Sequence, residues 1–394
     1  MQDLTETSAF VTPAHKPSRP YVLFEDGRGN GVAQLFERPE EIITAYRYAD
    51  VGAAFSRMEK ARARGYYLAG YASYELGYAL EPRLVERLID QQRVPLLQFG
   101  VFKAQSDWSF STDDACVPSM FLMPAWTEDE YTERFLRCRD YIFAGDIYQI
   151  NLTFPLRGRY DGDALNLYQG LRKRQPVAYG GVIALGDETI VSLSPEVFFE
   201  AQGRHIRARP MKGTAQRGIM PPEDMARAKY LVEDEKSRAE NLMIVDLLRN
   251  DLSRLAEIGS VKVTDLFTIQ TYPTLHQMTS GIEARLREDV SLYELFTGLF
   301  PCGSVTGAPK IRSMEIINDL ECAPRGVYCG SLGVIAPDGA IRFNVAIRTL
   351  TILPDGALIC NVGSAIVADS RAREEYEECL IKARFLTERS MNSA

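Results

Sequence analysis

The stretch "RARPMKGTAQRG", residues 207–218, sets Lys212 between a Pro-Met and a Gly-Thr pair. An amine is a nucleophile only when neutral, and a free lysine titrates near 10.4. Chemistry at Lys212 therefore requires burial or a neighbouring cation to lower its pKa. A carboxylate lies a short way upstream. If "EVFFEAQ" and "HIRARPMK" form a hairpin about Gly203-Arg204, a two-residue turn pairs Glu196 with Met211, and a three-residue loop pairs it with Lys212. Opposed residues lie roughly 5 Å apart at Cβ, so acid and amine sit together either way. A plain cross-strand ion pair and a catalytic pair both remain open at this point.

Three further carboxylates fall on helical patterns. Glu240 lies in "DEKSRAENLMIVDLLRND", with Met243, Ile244 and Leu247 on the apolar side. In "SRAREEYEECLIKARFL", Glu375, Glu378 and Lys382 occupy i, i+3 and i+7, one stripe of a final helix. Tyr376, Leu380 and Ala383 form a separate, core-suited stripe. Carboxylates on two helices suit a hard cation such as Mg²⁺, which keeps several waters and takes few protein oxygens. A solvated acidic face is the plainer alternative. In "FPCGSVTGAPKIRSMEII" small residues lead into a helix whose free N–H groups suit an anion. The phosphate-loop pattern is not met, because Lys310 follows Pro309 and precedes Ile311, and a nucleotide site is rejected.

The elements that must hold these groups are legible in outline. Thr127 with Glu130 predicts a capping box opening a helix, with Tyr131, Phe135, Cys138 and Ile142 at helical spacing and Gly145 as its stop. In "IYQINLTFPL", apolar and polar residues alternate, which predicts a strand. Residues 180–212 read as one β-meander and "GSLGVIAPDGAIRFNVAIRTLTILPDGALICNVG" as a second, with Pro-Asp-Gly hairpin tips. On that reading Arg348 shares a strand face with Ala346 and Asn344. Between the meanders lies a helical stretch over about residues 222–258. Strand blocks interleaved with helix blocks predict an α+β fold, with antiparallel sheets and helices outside, rather than a doubly wound one.

Composition bounds the partners. The 394 residues are 46% hydrophobic and 25% charged, with a net charge of −8. That balance fits a globular protein with a sizeable core and argues against a nucleic-acid or anionic-membrane surface. Seven dispersed cysteines without a C-x-x-C pair read as reduced thiols. Residues 1–18 read as a tail without an apolar leader, and no run approaches a membrane span; a cytoplasmic location is expected.

Ten stretches in order over residues 127–390 resemble the chorismate-utilising enzymes, whose members include anthranilate, aminodeoxychorismate and isochorismate synthases. They include "YQINL", "LSPEVFF", "PMKGT", "AENLMIVDLLRND", "LHQMTSGI", "PRGVYCGSLG" and "GSAIVADS". Residues 19–125 are similar to the N-terminal region of the amine-adding members, and 126–394 to the chorismate-binding catalytic domain. The resemblance implies two facing antiparallel sheets flanked by helices, with a Mg²⁺ site between them. Glu240 and Glu378 fall at metal-ligand positions, with Glu375 nearby. Gln149, Thr214, His276, Thr306, Tyr328, Arg348, Gly363, Ala365 and Lys382 fall at positions lining the chorismate site. Ala365 stands where the family carries glycine, so a positive φ there would be strained.

Within the family, the members that aminate chorismate at C4 carry a lysine where Lys212 stands, in "PIKGT". Those that make anthranilate carry a small residue. The resemblance thus implies that Lys212 attacks C2 while Glu196 protonates the departing C4 hydroxyl, giving 4-amino-4-deoxychorismate once ammonia enters. Gln149 stands where the water-adding members carry a lysine base, and an amide cannot take a proton, so isochorismate formation is not expected. The chain carries no amidotransferase half, and the resemblance implies a separate glutaminase subunit supplying ammonia. Anthranilate formation is the second reading, and a chorismate-binding subunit without turnover the third.

Overall fold

The chain is described by a computed structural model over residues 16–25, 32–88, 93–110, 120–175, 177–271 and 275–387. Most of the tail expected over residues 1–18 lies outside the described residues, as does Cys116. The strands among the described residues assemble into two ten-stranded sheets in which every neighbouring pair is antiparallel.

One sheet runs from Gly307–Ala308 through Gln149–Arg159, Ala357–Ile366, Thr349–Ile352, Thr189–Ser194, Tyr179–Ala184, Tyr21–Glu25 and Val32–Glu37 to Ser106–Ser109. The other runs from Met211–Gln216 through Leu275–Arg285, His205–Ala208, Val197–Gln202, Ala340–Asn344, Ser331–Ile335, Tyr67–Ala72 and Leu97–Phe102 to Glu41–Ala45. Segments before residue 126 therefore complete both sheets. The two sheets pack face to face: Val22, Phe24 and Phe36 of one meet Ala69, Tyr71, Phe102 and Val334 of the other. Helices cover the outside; Tyr48–Ala63 lies on the second sheet through Phe55 and Met58, and Ala164–Arg174 on the first. The expected α+β architecture is what the chain adopts.

Neither expected meander stays in one sheet. Tyr179–Ala184 and Thr189–Ser194 belong to the first sheet, whereas Val197–Gln202 and His205–Ala208 belong to the second. The other run divides in the same way: Ser331–Ile335 and Ala340–Asn344 pair in the second sheet, Thr349–Ile352 and Ala357–Ile366 in the first. Each run thus crosses between sheets once, at Pro195-Glu196 and at residues 345–348. The crossings are hydrogen-bonded together, the Leu193 N–H donating to the Arg348 carbonyl and the Val345 N–H to the Glu196 carbonyl. Arg348 is accordingly not on a strand face; it sits in the second crossing with φ 51°. A backbone that must turn out of one sheet and into the other leaves the extended region there.

The helix opened by Thr127 is present as Glu128–Phe143, with both arms of the capping box made and Tyr131, Phe135 and Cys138 buried. The single helical stretch expected over 222–258 is two helices, Pro221–Glu233 and Glu235–Ser253. Asp234 divides them because its carboxylate accepts the Ser237 N–H, the N-cap bond that starts a new helix. No helix among the described residues is long and apolar enough to cross a membrane.

Candidate active site

The two crossings open onto a cavity of about 540 Å³. Its floor is the Glu196 and Arg348 pair of segments; its sides are the Met211–Gln216 strand, the Ala357–Ile366 strand and two helices.

Lys212 reaches this cavity because its strand is irregular. Met211 pairs with Thr279 and Thr214 with Gln277, so Lys212 and Gly213 together oppose Met278 alone. This is a β-bulge, which bends a strand and redirects a side chain. Gly213 takes φ 88°, and a Cβ there would meet the Ser237 Cβ at 3.1 Å. The hairpin question is settled by the same strands. Glu200 pairs with Arg207 and Gln202 with His205, the two-residue turn. Carried on to the open end, that register sets Glu196 opposite Met211, whose N–H is among the groups that draw the Glu196 carboxyl down. Lys212 stands one residue on, in the cavity with Glu196.

The electrostatics separate the two groups. Glu196 is only 6% exposed. Burial pushes its carboxyl up to about 7, against the opposing pull of a hydrogen bond from Ser304 and the charges of Lys212 and Arg348. The Ser304 hydroxyl donates to Oε1 at 3.0 Å. Burial pulls Lys212 below its ordinary value, helped by the Lys382 charge and resisted by Glu240, Glu196 and Glu378. The site thus shifts the acid toward its protonated form and the amine toward its neutral one, the directions that nucleophilic attack with proton delivery needs.

The carboxylates come from the two helices anticipated. Glu235–Ser253 buries Ile244, Val245, Leu248 and Leu252 and turns Lys236 and Glu240, one turn apart, to the cavity. Ala372–Ile381 buries Tyr376 and Cys379 and presents Glu375 and Glu378, followed by Lys382. Glu375 accepts from the Ser370 hydroxyl at 2.7 Å. Lys382 pairs with Glu378 at 2.7 Å and donates to the Gly363 carbonyl at 2.8 Å. Burial raises Glu240 and Glu375, and Glu378 adds to both as a like charge. Among the described residues, no three His, Cys, Asp or Glu side chains converge into a closed metal cluster. The donors are nonetheless all carboxylate oxygens, gathered from opposite walls and repelling one another. That chemistry fits a hard cation taking one or two protein oxygens and several waters.

Thr214, Tyr328, Arg348, Gly363 and Ala365 also line the cavity. Ala365 lies in the regular Ala357–Ile366 strand, paired with Asn151, and the expected strain is not there. Gln149, His276 and Thr306 are not in the lining. On the Leu275–Arg285 strand Leu275 and Gln277 face the cavity, so the period of two turns His276 away. Its ring bonds Asp224 and Thr271, both at 2.9 Å. Thr306 turns its hydroxyl back onto the Cys302 and Gly303 carbonyls. Gln149 is wholly buried, its amide without a hydrogen-bond partner among the described residues. Sequence reasoning passed over Ser304, Lys236 and Asn151, which do line the cavity. Only Lys236 left a signal, four residues before Glu240.

Residues 19–388 match the chorismate binding enzyme family. The chain belongs to that family. Among curated relatives in it, aminodeoxychorismate synthase component 1 of Salmonella typhimurium is 37% identical over 339 residues, 84% of this chain and 73% of that protein. The Escherichia coli protein of the same name is 38% identical over 301 residues, 75% of this chain and 66% of its own length. Anthranilate synthase component 1 of Streptomyces coelicolor is 41% identical over 263 residues, 66% of this chain and 50% of that protein. This chorismate-binding chain thus spans 66–73% of the length of the first two relatives. A solved anthranilate synthase component I from Streptococcus pneumoniae superposes with a TM-score of 0.76 over 98% of this chain and 95% of that one. At 23% identity that likeness establishes the fold.

Proposed function

We propose that this enzyme aminates chorismate at C4, forming 4-amino-4-deoxychorismate for p-aminobenzoate and folate synthesis in the cytoplasm. The observation that carries the reading is Lys212, aimed into the cavity by its bulge beside Glu196 and shifted toward its neutral form. The names of the two relatives at 37% and 38% identity support it.

In this reading the Lys212 Nζ lone pair attacks ring carbon C2, the ring double bonds shift, and the C4–O bond breaks. Glu196 gives its proton to the departing oxygen, which leaves as water. The amine passes a proton to the Glu196 carboxylate, and ammonia then attacks C4. The double bonds shift back and the C2–N bond breaks, its electron pair returning to Lys212 together with the proton that the new C4 ammonium gives up. Arg348 is suited to hold a ring carboxylate, because a guanidinium binds one through two parallel donors. Glu240 and Glu378, with Glu375 beside them, would hold Mg²⁺, which supplies positive charge to anchor a second carboxylate. A glutaminase subunit is the proposed source of ammonia, in keeping with the component 1 names of the relatives.

Anthranilate formation is kept as the second reading because of the Streptomyces coelicolor relative at 41% identity. Mass spectrometry of the intact chain with Mg²⁺ and chorismate, without ammonia, separates the readings. A ring-sized increment mapped to Lys212, cleared by an ammonium salt with release of the 4-amino product, is expected. An unmodified lysine with anthranilate as the dominant product would reverse the assignment.

A further inference from the structure

Arg325 lies behind the cavity wall, not in it. It is 4% exposed, and its guanidinium reaches two separate runs of main chain. Nη1 donates to the Val305 carbonyl at 2.7 Å and Nη2 to the Asn151 carbonyl at 2.6 Å. Nη2 and Nε also grip the Glu321 carboxylate at 2.7 and 2.9 Å, and Glu321 accepts the Thr153 N–H at 2.9 Å. The ring of Tyr74 covers the guanidinium at 4.4 Å. The main chain of Arg325 is itself fixed. Its N–H and that of Gly326 go to Glu75 at 2.7 and 3.0 Å, and its carbonyl accepts from Asn361 at 3.5 Å.

Asn151, Val305 and Asn361 all line the cavity, and Ser304, which precedes Val305, is the donor to Glu196. We propose that Arg325 is a positioning residue for the reaction: it clamps the Asn151 and Val305 walls together and, through Ser304, sets the orientation of Glu196. The four bonds leave from three nitrogens of one planar fork, whereas lysine has three donors on a single nitrogen and is no equivalent here. The effect on rate rests on the amination reading above; the clamping of the walls does not.

Removing Arg325 alone would leave Glu321 as an uncompensated buried charge. The test therefore uses the full chain carrying R325M/E321Q, whose amide oxygen still accepts the Thr153 N–H, and separately R325K. A misplacement of about an ångström costs roughly a hundredfold in rate. For R325M/E321Q, kcat should fall by about that factor while the chorismate KM moves less than about threefold, and R325K should fall between it and wild type. S304A should slow the wild type but add little in the R325M/E321Q background. Amide exchange over residues 149–153 and 303–306 should quicken in both variants. Unchanged kcat in a folded variant, or S304A acting independently of Arg325, would overturn the proposal. So would losses of kcat that merely follow the melting temperature. If the wild type turns over no chorismate, the amination reading fails, and the exchange measurement alone decides whether Arg325 holds the walls.

Discussion

Burial puts opposite pressures on Glu196 and Lys212, the two side chains proposed to react, and that difference can be measured. Glu196 must be protonated to act as an acid, a fraction that falls as pH rises through its value of about 7. Lys212 must be neutral, a fraction that grows with pH, so the rate should pass through a maximum whose two limbs report the interacting pair. Glu196→Gln removes the proton donor and should lower kcat about 10²- to 10⁴-fold while abolishing the alkaline limb. Ser304→Ala removes a hydrogen bond that lowers Glu196, so the alkaline limb should move to higher pH in a rate profile. A limb that stays in place would show that Ser304 does not act on this carboxyl. Stability follows the same direction. The folded value of Glu196 lies above its ordinary 4.5, so its stabilising proton is fully held below pH 4.5 and lost by about pH 7. That span corresponds to about 3 kcal/mol at most. Glu196→Gln cannot ionise, so it should melt higher than the wild type at pH 8 and lose that advantage near pH 4.5. An equal difference at both pH values would mean that Glu196 is not a buried acid.

Elements were legible where their signal is local. The Glu128–Phe143 helix announces itself through a capping box over residues 127–130 and apolar residues at helical spacing. The glutamate stripe of Ala372–Ile381 is read in the same way. The crossings were not legible. Alternation reports that a strand has two faces, but both sheets bury theirs, so nothing in the pattern marks where the chain changes sheet at Pro195 or at residues 345–348. Ser304 escaped because its partner lies 108 residues away in sequence. His276 was placed at the site by resemblance, and the period of the strand turned it away. The Lys212-Gly213 bulge is intermediate: a lysine beside a glycine hints at irregular backbone without fixing it. Gly213→Ala tests the bulge directly. A side chain at φ 88° costs roughly 1–2 kcal/mol, and the new Cβ presses on Ser237. The variant should melt several degrees lower and form the Lys212 adduct more slowly. Wild-type stability together with a wild-type adduct rate would show that the lysine does not depend on the bulge.

Across the whole molecule, charge and connectivity set conditions that no single element reveals. The chain carries a net charge of −8, yet Lys212, Lys236, Arg348 and Lys382 meet Glu196, Glu240, Glu375 and Glu378 in one cavity. A cavity so nearly balanced has little surplus charge for a dicarboxylate such as chorismate, whereas a dicarboxylate with a divalent cation adds none. Affinity for chorismate should therefore rise with Mg²⁺, and affinity for Mg²⁺ should rise with chorismate by the same factor. Calorimetric titrations in both orders check this, and equal chorismate affinity with and without Mg²⁺ would remove the metal from the binding step. Connectivity bears on the division at residue 126. Tyr21–Glu25 pairs with Tyr179–Ala184 in one sheet, and Tyr67–Ala72 pairs with Ser331–Ile335 in the other. A fragment of residues 126–394 would expose a long unpaired strand edge on each sheet, together with the inner apolar face that Val22, Phe24, Phe36 and Phe102 cover. Bare edges of that kind template association. The fragment should accumulate as aggregate on size-exclusion chromatography and bind no chorismate, whereas residues 19–388, which retain every described strand, should elute as folded protein and melt cooperatively. A soluble 126–394 fragment with a cooperative melt would instead establish that the catalytic segment folds alone and that the first segment is an addition to it.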